Sequence, residues 1–211
     1  MTSNHDMVET FGIDSLVYAQ SKNIHELLIP AETKEFVLNT GFPFIINWFR
    51  FSLEFTPVLQ DIQLGKYPNE LKSLMYIIGV KSACPTIGAI TQLSEIGLNN
   101  NSSLPQIWDK IVAIEEEEGF EDYIFKYYVT QSHRICLDAS NDGQIVSVNP
   151  NDLSITFVNS NIQKLAASLV AFGDLQSEIP FEDTLNLIDS KAQESEENLW
   201  AQIINQPEVE F

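Results

Sequence analysis

The stretch ICLDASNDGQIVSVNPNDLSITFVNSNIQ, residues 135–163, decides the fold. Ile135 to Asp138 is a short, mostly apolar run, Asn141-Asp142-Gly143 interrupts it, and Gln144 to Val148 returns. Asp-Gly between two apolar runs marks a hairpin, because the turns that match strand twist need positive φ. Asn149-Pro150-Asn151-Asp152 is a second turn and Ser154 to Val158 a third strand, so the stretch reads as a meander. It leads into a helix. Ser160-x-x-Gln163 has the form of a capping box, and Ile162, Leu165, Leu169 and Phe172 line one face up to Gly173.

The chain upstream supplies further strands behind a helix. Ala31 to Asn39 reads as a helix, with Pro30 at its entry and Glu32 and Glu35 near its positive end. Phe36 and Val37 are its core-facing residues. Gly41 is expected to stop it in the left-handed conformation, and Pro43 forbids its continuation. Phe49 to Phe55 then alternates large apolar residues with Arg50, Ser52 and Glu54, the pattern of a half-buried antiparallel strand. Leu74 to Val80 is more uniformly apolar and suits a central strand. Before residue 30, Ile13, Leu16, Val17, Ile24, Leu27 and Leu28 give short, weak helical stripes.

Residues 82–121 break the pattern. Asn99 to Ser103 is a polar loop. Leu104 to Ile114 is expected to be a short helix with Ile107, Trp108, Ile111 and Ile114 at helical spacing, and Tyr123 to Thr130 an aromatic strand. At the other end, Pro180 opens a helical region containing Leu185 and Ile188. A closing helix carries Leu199, Trp200, Ile203 and Ile204 on one side and Glu194, Glu196 and Glu197 on the other. No internal repeat or clean domain boundary interrupts residues 1–211, so one α+β domain is expected.

Composition narrows the function. The 211 residues include 13 Phe, 6 Tyr and 3 Trp, and 44% are hydrophobic. That is globular composition, and a chain of this length can bury roughly 70% of its unfolded surface without staples. Eleven Lys and Arg face thirty Asp and Glu, a formal charge of −19. Such a surface repels phosphate backbones and anionic headgroups, so direct nucleic-acid and membrane binding are poor fits, whereas a basic protein is attracted and steered. Acidity that serves only solubility is the plainer explanation, and charge alone does not displace it. The start MTSNHDMVET has neither the basic nor the apolar region of a signal peptide. No segment approaches the about 20 apolar residues of a membrane span. Cys84 and Cys136 could form one disulfide, but nothing else suggests an oxidising compartment. A cytoplasmic protein is expected.

Chemistry-bearing motifs are missing or incomplete. There is no glycine-rich phosphate loop, no H-E-x-x-H and no G-x-S-x-G. His133 and Cys136 lack a second ligand pair, and three residues apart in a strand they point to opposite faces. Cys136 reads as a small core residue and His133 as a strand-edge residue. Asp138-Ala139-Ser140-Asn141-Asp142-Gly143 half-matches a calcium loop, but its twelfth position is Asn149 and its flanks are strands. No catalytic residue, cofactor or metal is therefore expected. Glu115, Glu116, Glu117 and Glu118, with Glu121 and Asp122, form the densest acidic patch. Glu178, Glu182 and Asp183 form a second. The bland explanation of such runs is a solvated face, and the functional one is docking of a basic partner.

The order of elements resembles the SUKH superfamily, in particular its fourth subfamily, with a Smi/Knr-like fold. Ile29-Pro30 and a short helix running into Phe36-Val37-Leu38-Asn39-Thr40-Gly41-Phe42-Pro43 carry the first match, where the family has Gly-Leu-Pro. Phe49–Phe55 and Tyr76-Ile77-Ile78-Gly79 are similar to family strands. The most specific run is Ile135-Cys136-Leu137-Asp138, Gly143-Gln144-Ile145-Val146 and Phe157-Val158-Asn159-Ser160 entering a helix, and Trp200 fits a closing helix. The likeness covers roughly residues 26–81 and 131–205. Where the family has a short connection after Gly79, this chain has a variable insertion at about 82–130. The resemblance implies a mixed, largely antiparallel sheet of about six strands with helices packed around it. It also implies a non-enzymatic immunity protein that binds and neutralises a toxin with a basic surface, such as a nuclease or a nucleic-acid deaminase. The alternatives are a scaffold or regulatory interaction module and an enzyme with an unrecognised site.

Overall fold

The computed structural model describes residues 2–46, 49–58, 75–81, 133–149, 152–174 and 179–205. The expected helix at 104–114, the strand at 123–130, Trp48, Trp108, Cys84, Glu115 to Glu118, Glu121, Asp122 and Glu178 lie outside them.

The meander forms as expected. Strand β6 (His133–Asp138) turns through a single 3-10 turn, Ala139–Asn141, into β7 (Gln144–Val148), and β8 (Ile155–Asn159) follows. Asp142 and Gly143 supply the positive φ at 57° and 77°. The half-matched calcium loop is this turn: Asp138 Oδ1 accepts the Ser140 N–H at 3.0 Å, so the carboxylate caps its own hairpin.

Upstream come α1 (Asn4–Phe11), β1 (Leu16–Val17), α2 (Ser21–Ile24), α3 (Ala31–Asn39), β2 (Phe42–Pro43), β3 (Ile45–Ile46), β4 (Phe49–Pro57) and β5 (Met75–Lys81). Strands β3 to β8 make one six-stranded sheet in sequence order, with every neighbouring pair antiparallel, and β1 pairs with β2 separately. After β8 come α4 (Ile162–Gly173), α5 (Phe181–Ile188) and α6 (Leu199–Ile204). The fold is therefore α+β, with helices packed around an antiparallel sheet.

Alternation assigns the faces. Phe49, Phe51, Ile135, Leu137 and Ile145 share one core with Ile162, Leu165, Leu169, Leu185, Trp200 and Met7. The intervening Ile77, Cys136, Val146 and Val148 form a second cluster with Val58 on the other face. Arg50 lies on that other face too, yet it is only 5% exposed, so the polar side of β4 is not the solvated side its alternation suggests. Strand β4 is also irregular. From Phe51 to Thr56 it pairs against only Gly79 to Ile77 of β5, and Leu53 and Phe55 take φ of 51° and 55°. These left-handed residues absorb the extra length while keeping both side chains buried. A Cβ on Gly79 would stand 2.5 Å from the Arg50 carbonyl, so β4 approaches β5 this closely only over glycine.

Four local expectations are corrected. Gly41 does not adopt positive φ, since among the described glycines only Gly12 and Gly143 do. Helix α3 ends in the extended Thr40, and Gly41 is required for space: a Cβ would sit 2.7 Å from the Tyr18 ring. The cap of α4 is Asn161, whose side chain accepts the Lys164 N–H at 2.9 Å. Ser160 is occupied elsewhere. Glu194, Glu196 and Glu197 lie in turns before α6 rather than along it. The weak stripe at Ile13–Val17 becomes a 3-10 turn and the short β1, held when Phe44 N–H donates to the Ser15 carbonyl at 2.7 Å.

Candidate protein-docking surface

Of the nine acidic residues singled out from the sequence, Glu182 and Asp183 are described, and both are exposed in the first turn of α5. Pro180 precedes that turn and fixes its entry, and two carboxylates there complement the helix dipole. Dipole complementation is itself a sufficient structural reason for them. The helix buries Leu185 and presents Leu187, 84% exposed, one turn beyond Asp183. Ile179, immediately before the helix, is 54% exposed. The surface thus combines two carboxylates with protruding aliphatic side chains.

What holds this surface still is a buried polar network that the sequence reading missed. Asp189, just past α5, is 1% exposed. Its carboxylate accepts from Ser160 N–H at 2.6 Å, Ser160 Oγ at 2.8 Å and Lys164 Nζ at 3.0 Å. The Asn159 amide donates to Ser168 Oγ at 3.1 Å and to Asp189 Oδ2 at 3.4 Å, and its carbonyl accepts from Trp200 Nε1 at 2.9 Å. Trp200 packs against Phe49, Phe172 and Phe181 with ring centroids 5.3 to 5.5 Å apart. Gln193 Nε2 closes the far side by donating to the Glu182 carbonyl at 2.7 Å. The end of β8, the start of α4, both ends of α5 and α6 are thereby tied together. Only the Asn159-Ser160 pair hinted at this from sequence; Asp189 stands in no recognisable pattern.

A second polar constellation spans β5, β6 and β7. Lys81 of β5 stands directly opposite His133 of β6. His133 Nδ1 and Ser147 Oγ share a hydrogen bond at 3.1 Å. Burial, reinforced by the positive charges of Lys81 and Arg134 and partly offset by Asp152, holds the His133 imidazole below its usual pKa. Burial likewise depresses the Lys81 ammonium. A serine beside a neutral imidazole has the outline of a nucleophile and base. Ser147 is 0% exposed, however, so the pair satisfies a buried hydroxyl and offers no reachable nucleophile.

Among the described residues no group of three or more His, Cys, Asp or Glu could hold a metal ion, and no helix is long and apolar enough to cross a membrane. No family model, curated protein or solved structure matches the chain.

Proposed function

We propose that this chain is a non-enzymatic immunity protein of the SUKH type that binds and neutralises a toxin domain with a basic surface, in the cytoplasm. The observation that carries the reading is the exposed α5 surface, where Glu182 and Asp183 stand beside Leu187 on a helix anchored by the Asp189 network. A surface held in place loses little entropy on docking, and exposed aliphatic side chains beside two carboxylates suit a basic cleft built for nucleic acid. The net charge of −19 adds long-range attraction to such a partner. The resemblance also supports the reading, because its most specific run, Ile135–Asp138, Gly143–Val146 and Phe157–Ser160 entering a helix, ends in the Ser160 that holds Asp189 after α5.

The test is co-purification of the tagged chain from its native cells, followed by reconstitution. The expected result is a basic toxin domain recovered near 1:1 whose activity is blocked by the purified chain. Glu182→Lys with Asp183→Lys should slow association about tenfold at low salt and flatten its salt dependence, with dissociation changed less. Recovery of signalling or structural proteins alone would move the assignment to a scaffold module. Association unaffected by charge reversal would remove α5 from the interface.

A further inference from the structure

Strand β8 ends the six-stranded sheet, and among the described residues its strand neighbour is β7 alone. The Asn149 N–H donates to the Ser154 carbonyl at 3.0 Å, which fixes the phase of the ladder between them. Antiparallel pairs alternate between those that exchange hydrogen bonds and those that do not. With Asn149 bonded to Ser154, Ser147 and Thr156 are the next bonded pair, and Val148–Ile155 and Val146–Phe157 are the unbonded ones. Ile155 and Phe157 therefore turn their N–H and C=O groups away from β7. Among the described residues nothing takes up these four groups.

The side chains along this edge suit an added strand. Ile155 and Phe157 share one face. Phe157 is partly buried against the main core, whereas Ile155 is 47% exposed. Open edges ordinarily carry lysine, proline or an inward-pointing charge that forbids pairing. Here the sequence from Leu153 to Gln163 has no charged residue and no proline. The charges stand around the strand instead, and nearly all are negative. Exposed Asp152 precedes it. The 3-10 turn Ser190–Gln193 and α6 both pack against β8, and exposed Glu194, Glu196 and Glu197 lie in the link between them, against Lys191 alone.

We infer that the outer edge of β8 is a site of strand addition for a basic partner, an extended segment with apolar residues at alternate positions and Lys or Arg at its ends. Its backbone pairs with Ile155 and Phe157, an apolar side chain covers Ile155, and its flanking cations are drawn to Asp152 and the three glutamates. That acidic frame and the net charge of −19 disfavour a second copy of this chain as the occupant. The surface is distinct from α5, and the inference does not depend on the partner being a toxin.

The probe is a fluorescein-labelled peptide of alternating valine and threonine with paired lysines at both ends, titrated into the full chain and followed by anisotropy. It should bind saturably, and amide hydrogen exchange at Ile155 and Phe157 should slow at least ~tenfold in its presence. Methylating the peptide's backbone nitrogens keeps its charge and should weaken binding at least ~tenfold. Glutamates in place of the lysines should weaken it as much at low salt. In the chain, Ile155→Pro removes an outward donor and spares the ladder to β7, so affinity should fall at least ~tenfold while near-ultraviolet dichroism is unchanged. Should that variant unfold, Ile155→Lys at the same exposed position takes its place, with the same loss expected. No binding, equal affinity for the methylated peptide, or full affinity in the folded position-155 variant would each overturn the inference. So would a dimer in sedimentation equilibrium that the position-155 variant dissociates, because the occupant would then be a second copy. Glu182→Lys with Asp183→Lys tests α5 separately, and a loss of peptide affinity as large as that at position 155 would take the site away from β8.

Discussion

Replacing Asp189 by alanine tests whether the network under α5 organises the helical layer. The substitution removes an acceptor that takes two hydrogen bonds from Ser160 and one from Lys164 within 3.0 Å. Hydrogen bonds to a charged group contribute about 1.5–3 kcal/mol each, and breaking a buried pair costs about 3–5 kcal/mol. The side chain of Lys164 is 39% exposed, so water can take over part of its solvation. The Ser160 bonds therefore dominate, and the expected loss is about 3–5 kcal/mol for Asp189→Ala, or about 6–20 °C in Tm for a chain this size. Asp189→Asn keeps the shape and one acceptor, so about half that loss is expected. Lys164→Ala leaves the Asp189 carboxylate buried with only its Ser160 and Asn159 hydrogen bonds, so a smaller loss of about 1–2 kcal/mol is expected. Guanidinium unfolding followed by far-ultraviolet dichroism measures all three. A loss below about 1 kcal/mol for Asp189→Ala, or a Lys164→Ala loss equal to it, would refute the account of what holds α5.

Trp200→Phe should cost about 1–3 kcal/mol, because the Asn159 carbonyl at 2.9 Å loses its indole donor while most ring packing survives; thermal denaturation reads it. Gly41→Val should destabilise by about 1–3 kcal/mol through collision with the Tyr18 ring, and Tyr18→Ala in the same chain should recover part of the loss, which a conformational origin would not allow. His133 has a folded pKa below the usual 6.5, so the unfolded chain binds the extra proton first. Its contribution to stability is present above about pH 6.5 and is lost as pH falls through the window below it. The Tm difference between the parent and His133→Asn should therefore shrink from pH 7.5 to pH 5.5, and a difference that grows would show the imidazole to be stabilised in its charged form.

The meander, the helix Ala31–Asn39, the central β5 and the buried Trp200 were legible because each rests on a local signal. Those signals are Asp-Gly in a turn, proline at a helix entry, or apolar spacing of two or 3.6. What could not be read depends on contacts distant in the chain. Gly41 looks like a helix stop until Tyr18 is brought against it. Ser160 looks like a cap until Asp189, 29 residues on, claims it and Asn161 takes over. Arg50 alternates like a surface residue because nothing local announces that its face is covered. The acidic residues were visible from the start, but charge marks a surface without saying which part is anchored. For Glu182 and Asp183 the anchoring depends on Asp189, which no spacing rule picks out.

The irregular β4 bears on self-association. A sheet ends in two rows of backbone groups that can recruit a strand from another chain, and long straight edges seed aggregates. Here one outer strand, β3, has only Ile45 and Ile46, and the strand beside it bends at Leu53 and Phe55, where two left-handed residues leave no straight template to extend. An acidic chain already resists clumping through repulsion, and that protection fades at high salt. Backbone geometry does not fade with salt, so this side of the sheet should stay closed to recruitment even where the charge is fully screened.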